Sequence, residues 1–182
     1  MRRLPWARIL AAGALLATGC ATSPPAADAL ALTAAGRLSV RVEASPARSS
    51  QSLGAEFEWR GDGERGELTL LSPLGTQLAR ARWSPGEARL VTPEGETRFD
   101  TLDALAERAL GERVPLVAWP HWLAGKPWPG APSTAEPSGF QQLGWAVDLT
   151  RHGEGRIEAR RSAPPVVTVR IVLDKAGSGG AP

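Results

Sequence analysis

The sequence predicts an α+β domain built on one long antiparallel sheet, and three observations point to it. Short segments with an apolar residue at every second position recur in both halves of the chain, with glycine- and proline-rich turns between them. A stretch between the two halves changes to helical spacing. The length of 182 residues and a composition of 42% hydrophobic and 22% charged residues fit about one globular domain. Because such a sheet has one apolar face to cover, we expect it to curl, with helices across its mouth and an apolar cavity inside.

The first half of the domain reads as a meander of strands. In the first strand, Leu38, Val40 and Val42 alternate with polar residues, so one face is half-buried. Residues typical of turns separate the later strands, as in Pro85-Gly86. The predicted strands are residues 36–42, 53–59, 66–71, 77–83, 88–91 and 96–99.

The pattern then becomes helical before strands return. Asp100–Asp103 can cap a helix whose apolar face continues to Leu110 and which ends at Gly111. Residues 115–123 are a second short helical candidate. Residues 126–139 contain four prolines and are predicted to be a loop. The last predicted strands are residues 144–149, 156–160 and 166–173.

The N-terminus is predicted to be a targeting signal followed by an anchor. Three arginines precede the apolar run Ile9–Gly19, whose 11 residues are too short for a bilayer core that needs about 20 as helix. The run ends directly before Cys20, the single cysteine, in a segment that resembles a bacterial lipobox. The resemblance implies cleavage before Cys20 and lipids on its thiol and its new amine. The expected organisation is a signal peptide at 1–19, a lipidated N-terminus and tether at 20–35, the folded domain at 36–175 and a flexible tail at 176–182.

Charge and composition exclude several classes of protein. Residues 1–19 hold three of the 21 basic and none of the 19 acidic residues, so the remaining chain has 18 basic residues against 19 acidic ones, a net charge of −1. A nucleic-acid partner is therefore not expected. One cysteine and two histidines exclude the common four-ligand zinc sites. The chain contains no GxSxG, Walker A or HExxH motif, so we expect neither a cofactor nor an enzyme.

The turn Ser72-Pro73-Leu74-Gly75 stands out because turns usually have polar tips. Pro73 fixes one backbone angle and Gly75 permits a positive φ, so the leucine between them can be pushed outward. Exposure would forgo about 1.5–3 kcal/mol of burial. Two interpretations remain from composition alone: Leu74 folds back onto the core, or it is an apolar finger for a membrane or a protein partner.

Six segments occur in a recognisable order behind the lipobox: GRLSV at 36–40, FEW at 57–59, LLSPLG at 70–75, WLAG at 122–125, FQQLGW at 140–145 and VRIVL at 169–173. In this order they resemble the LolB family of outer-membrane lipoprotein receptors. The resemblance implies an open, incomplete β-barrel with helices covering an apolar cavity. It also implies that the protein accepts acylated lipoproteins from the periplasmic carrier LolA and inserts them into the inner leaflet of the outer membrane. The family's functional leucine, in a protruding loop, falls on Leu74.

The resemblance also guides the remaining expectations. We expect a monomer, lipid-anchored at Cys20 on the periplasmic face of the outer membrane, which Ala21 after the cysteine favours. Ordinary core packing is the alternative role for each residue proposed to line the cavity. Those candidates are Phe57, Trp59, Leu68, Leu70, Trp83, Trp122, Trp145 and Val147.

Two functions from other classes stay open. One is a structural or assembly lipoprotein that binds a protein partner without a ligand cavity. The other is a lipid-active enzyme or small-lipid carrier, for which only His121 and His152 could supply a histidine base.

Overall fold

The computed structural model describes residues 32–46 and 49–174. Two α-helices, α1 (Leu102–Leu110) and α2 (Trp119–Leu123), and two 3₁₀ turns, Leu116–Ala118 and His152–Glu154, accompany eleven strands. The strands are β1 (Leu32–Val42), β2 (Gln51–Gly61), β3 (Gly66–Leu71), β4 (Gln77–Ser84), β5 (Glu87–Thr92), β6 (Gly95–Phe99), β7 (Ser133–Glu136), β8 (Gly139–Gln142), β9 (Trp145–Asp148), β10 (Arg156–Arg161) and β11 (Val167–Leu173).

All eleven strands belong to one antiparallel sheet in the order β6-β5-β4-β3-β2-β1-β11-β10-β9-β8-β7. The first six strands form a meander that grows outward from β1. The last five grow inward from the other edge until β11 pairs with β1, from Gly36 opposite Leu173 to Val42 opposite Val167. Within the described residues β6 and β7 remain edges, so the sheet is open. The predicted α+β class with a single antiparallel sheet is confirmed.

Antiparallel order places alternate turns at the same end of the sheet. We call one end the Leu74 end; its turns include residues 72–76, 93–94, 143–144 and 162–166. The turns at 62–65 and 85–86 lie at the opposite end. Strand β1 begins at the opposite end with Leu32 and runs to the Leu74 end.

The helices lie against the inner face of the sheet, where α1 packs on β4, β5 and β6. Thr101 caps α1 as predicted, because its Oγ1 accepts a hydrogen bond from the Ala104 N–H at 3.1 Å. Gly111 ends the helix with a φ of +80°, a conformation that glycine adopts without strain. Leu105 and Leu110 are buried on the side of α1 that faces the sheet.

Three segments differ from the sequence-based expectation, and one of them is β8, since no strand is predicted over residues 140–142. Strand β1 begins at Leu32, four residues before Gly36, because the long β2 offers it partners: Ala34 pairs with Trp59, and the Thr33 hydroxyl donates to the Gly61 carbonyl at 2.9 Å. Part of the expected tether is therefore sheet. The predicted loop 126–139 contains the edge strand β7, which fits between Pro132 and Pro137 and so keeps both prolines outside the ladder.

The core is one continuous cluster formed by the inner face of the sheet and the helices. Each of the eight cavity candidates belongs to it, with exposed fractions between 0% and 6%. At this degree of burial none of the eight side chains presents an open apolar surface to solvent. The described residues therefore support the curled, helix-covered sheet, but an open cavity is not seen.

Candidate lipid-contact site

Leu74 stands at the tip of the β3–β4 turn and is 94% exposed. The turn that carries it is fixed by hydrogen bonds to Ser72. The Ser72 hydroxyl accepts from the backbone N–H of Leu74 at 3.3 Å and of Thr76 at 3.2 Å. The Ser72 carbonyl accepts from Gly75 at 2.8 Å, and Gly75 has a φ of +79°. Leu74 therefore projects from a well-defined turn, and the alternative in which it folds back onto the core is wrong.

The buried candidates separate into two aromatic groups. In the first, the Trp59 ring centroid lies 4.9 Å from that of Trp83 and 5.9 Å from that of Trp119. In the second, the Trp122 ring centroid lies 6.3 Å from Phe140 and 6.4 Å from Trp145. Contacts of this kind contribute about 0.5–1.5 kcal/mol each beyond the burial of area.

Sequence reasoning left two members out of these groups. Trp119 lies three residues before Trp122, a spacing that places both on one helical face and could have included it. Phe140 gives no such signal, because its strand β8 is short and polar on either side.

Gln142 is a buried polar residue that sequence reasoning missed. Its side chain is 2% exposed. Its Oε1 accepts from Trp122 Nε1 at 2.9 Å and from the Trp128 backbone N–H at 2.8 Å, and its Nε2 donates to the carbonyls of Trp128 at 2.7 Å and Ala131 at 2.9 Å. This one side-chain amide therefore holds residues 128–131, which follow α2, against strand β8.

A charged pair lies close to the second aromatic group at the Leu74 end. Arg161 extends from the last position of β10 with its guanidinium carbon 5.5 Å from the centroid of the Trp145 ring. Its Nη2 lies 3.5 Å from Glu112 Oε1, and both side chains are mostly buried. The carboxylate offsets the charge of the guanidinium that lies over the tryptophan face, so the pair adds no net charge to this part of the interior.

A cleft of about 550 Å³ reaches the first aromatic group from the opposite end. Trp83, Leu102 and Val117 contribute to its walls. The turn at its rim is held by Asp62, whose carboxylate accepts from the backbone N–H groups of Arg65 and Glu64, each at 2.8 Å. These hydrogen bonds, the one from Arg65 above all, hold the pKa of Asp62 below its ordinary value.

Of the two histidines, His152 has structural surroundings. His152 Nε2 lies 2.9 Å from the Leu123 carbonyl oxygen. Gly125 packs so closely on the His152 ring that a Cβ there would lie 2.9 Å from a ring carbon. Among the described residues, no group of three or more His, Cys, Asp or Glu side chains could hold a metal ion.

The predicted anchor and signal lie outside the described residues, as do the first part of the tether and the tail. This applies to Cys20, to residues 1–31 and to residues 175–182. In the part of the chain that the structure does describe, none of the helices is long and apolar enough to cross a bilayer.

The chain is similar to a set of known proteins over nearly its whole length. A family model described as "Outer membrane lipoprotein LolB" matches residues 31–175. The outer-membrane lipoprotein LolB of Bordetella petrii is 37% identical, over 91% of this chain and 91% of that protein. LolB of Dechloromonas aromatica is 32% identical (89% and 86%) and that of Azoarcus sp. 31% identical (96% and 95%). The resemblance in the sequence is confirmed, and the chain belongs to the LolB family of outer-membrane lipoproteins.

Proposed function

We propose that this outer-membrane lipoprotein accepts acylated lipoproteins from a LolA-type periplasmic carrier and inserts them into the inner leaflet of the outer membrane. The observation that carries the proposal is the 94% exposure of Leu74 on a turn that Ser72 holds in place. Exposing a leucine in water forgoes about 1.5–3 kcal/mol of burial. A bilayer restores that contribution, so the turn acts as the element that touches the membrane during delivery.

The buried aromatic groups act as the transient binding site for acyl chains. Each methylene kept out of water contributes about 0.8 kcal/mol, so an acyl chain must pass from one apolar environment directly to another. Tryptophan offers a large apolar area without a shape that selects one cargo. This suits a receptor whose ligands share their lipid and differ in their protein.

Because the aromatic side chains are buried, an acyl chain can contact them only if side chains or helices move. The cleft beside Val117 is where the smallest displacement would expose the first aromatic group, since its walls already include Trp83. The α2 segment is the natural element to yield on the other side, because it is short and is held to the sheet largely by side chains.

The direction of transfer follows from differences in affinity. The carrier's pocket, this interior and the bilayer offer the acyl chains increasing apolar contact, so no other source of energy is needed. Lipids on Cys20 keep the receptor at its destination membrane, since two or more acyl chains anchor a protein stably whereas one binds marginally.

The test uses the lipidated chain with an affinity tag after residue 182, mixed with carrier that is already loaded with an acylated lipoprotein. We expect cargo to move onto the tagged chain and then into added vesicles. The variant Leu74→Glu should accept cargo as well as the wild type but fail to deliver it, whereas Leu74→Met should do both. Normal delivery by Leu74→Glu would overturn the role of the turn. Failure of the folded wild-type chain to take cargo from its own organism's carrier would overturn the proposal.

The burial of all eight cavity candidates favours one alternative, a structural lipoprotein that binds a protein partner and has no ligand site. A fluorescent fatty acid separates the two. Binding of the fatty acid that quenches the fluorescence of the buried tryptophans supports the receptor role. Absence of binding at fatty-acid concentrations up to the onset of micelle formation supports the structural role.

A further inference from the structure

The described residues expose three large hydrophobic side chains, and all three lie at the Leu74 end of the sheet. They are Leu74 at 94%, Leu143 at 44% and Leu78 at 38% exposed. Leu78 lies in β4, directly after the Leu74 turn, and so belongs to the same hairpin. Leu143 lies on a different hairpin, the one between β8 and β9.

Leu143 is exposed, and its backbone conformation is also unfavourable. Gln142 pairs with Trp145, so Leu143 and Gly144 form a two-residue turn with φ values of +53° and +79°. Positive φ at both positions defines a type I′ turn, for which Asn-Gly is the favoured sequence. A left-handed conformation costs a leucine about 1–2 kcal/mol. Leu143 is the only residue other than glycine with a positive φ among the described residues.

An exposed leucine alone is unremarkable on a protein surface. At position 143, however, leucine has both a strained left-handed backbone and an apolar side chain in water. Asparagine at this position would avoid both costs. Strain of this kind persists at functional positions. We infer that Leu143 is a second bilayer contact, which together with Leu74 seats the Leu74 end of the sheet on the membrane surface; this rests on the proposed function.

The position of Leu143 connects the bilayer to the interior. Its neighbours Gln142 and Trp145 are each 2% exposed and point inward, where Gln142 holds Trp122 and Trp145 packs near it. A turn seated in lipid would therefore place the second aromatic group next to the bilayer. Leu74 and Leu143 stand five strands apart in sheet order, from β3 to β9. Two contacts so far apart would fix the tilt of the domain relative to the membrane, whereas a single contact would not.

The experiment places a fluorescent label at single sites of the lipidated chain. The sequence contains one cysteine, whose thiol the proposed lipid occupies, so Leu74→Cys, Leu143→Cys and Glu64→Cys each add one reactive thiol. An environment-sensitive nitrobenzoxadiazole dye on each is read on phosphatidylcholine vesicles with and without doxyl-labelled lipid. Uncharged vesicles remove electrostatic binding from the result.

We expect the dyes at positions 74 and 143 to shift to shorter wavelength and to be quenched by doxyl lipid, while the dye at position 64, which is exposed at the opposite end, stays in water. A lipid environment at 74 but not at 143 would overturn the second contact and leave the proposed function standing. Water at both positions would overturn the membrane role of Leu74 along with it. A shift at 143 that appears only when loaded carrier is added would instead make this turn a protein contact and overturn the bilayer proposal.

A second variant separates contact from structure. Leu143→Asn suits the turn, so its thermal midpoint should rise, while its rate of cargo delivery to vesicles should fall about three- to tenfold, the loss expected when part of a leucine contact disappears. Uptake of cargo from the carrier should not change. A variant that is more stable and delivers at the wild-type rate would contradict the proposal.

Discussion

Gln142 Oε1 accepts a hydrogen bond of 2.9 Å from the indole nitrogen of Trp122, and this contact joins α2 to strand β8. The same amide satisfies three backbone groups of residues 128 and 131. It therefore controls how firmly α2 and the residues after it cover the inner face.

We predict that Gln142→Leu lowers the free energy of unfolding by about 2–5 kcal/mol, because it leaves several buried donors and acceptors without partners. Gln141→Leu is the matched control, since Gln141 is exposed and the change should stay within about 0.5 kcal/mol. Urea unfolding followed by tryptophan fluorescence measures both. Equal midpoints for the two variants would show that the amide does not hold the helical segment.

The strands could be predicted from the sequence because their signal is local. Alternation at Leu38, Val40 and Val42 reports a buried face wherever the partner strand lies. The Gln142 network depends on residues 11 to 20 positions away, and no local pattern contains that information. Strand β7 could not be predicted for a similar reason: it is fully exposed and is a strand only because β8 pairs with it.

At the candidate site, too, local features can be predicted from the sequence and long-range contacts cannot. That Leu74 sits in a turn follows from Pro73 and Gly75, but whether the side chain folds back depends on space that only the assembled sheet defines. Lining a cavity and filling a core require the same residue types, so the sequence selects Trp59 or Trp145 for the interior without deciding between an open and a filled one.

The cleft beside Val117 leads to a prediction about uptake of cargo. Val117→Phe narrows the cleft next to Trp83, so acceptance from the carrier should fall several-fold while the urea midpoint changes little. Val172→Phe adds the same bulk to the outer face of β11 and should leave acceptance unchanged. The amount of cargo retained on the tagged receptor gives the answer, and wild-type uptake by Val117→Phe would show that cargo enters elsewhere.

The turn at Asp62 leads to a prediction about pH. Its folded-state pKa is lowered, chiefly by the Arg65 N–H, so its contribution to stability is fully present above the unfolded value of about 3.9. That contribution is lost as the pH falls through the lower folded value. Asp62→Asn should therefore lose less stability than the wild type between pH 5 and pH 2.5, in urea unfolding at low salt.

Glu64→Gln is the control for that experiment, because it removes one carboxylate from the same turn and leaves the Asp62 hydrogen bonds in place. An Asp62→Asn variant whose pH dependence matches the wild type would show that this carboxylate is not the group whose protonation loosens the rim of the cleft.

The polarity of the sheet sets a minimum length for the tether. Strand β1 begins with Leu32 at the end opposite Leu74. Arg37 lies level with Leu71, since both pair with Glu56. The turn extends two to three residues further, so the tip of Leu74 stands about 25 Å from Leu32 at ~3.3 Å per residue. The twelve residues from Cys20 to Leu32 span at most about 40 Å when fully extended.

Seating the Leu74 end on the bilayer, as inferred above, therefore requires a tether from Cys20 that is long enough to reach back along the domain. We predict that deleting Ser23–Asp28 abolishes delivery, because the remaining reach of about 20 Å is shorter than the required distance. Replacing the same six residues by glycine and serine should preserve delivery, because it keeps the length. Uptake from the carrier should be normal in both variants.

The anchor itself supplies the decisive comparison. If reach is the cause, combining the deletion with Cys20→Ala, behind an ordinary cleavable signal peptide, should restore delivery, because an unanchored domain can approach the membrane with its Leu74 end first. Delivery of cargo to vesicles, followed for the deletion with and without the anchor, measures this. A deletion that stays inactive without its anchor would mean that residues 23–28 act through contacts of their own, and one that delivers while anchored would mean that Leu74 reaches the bilayer by a shorter route than the sheet allows.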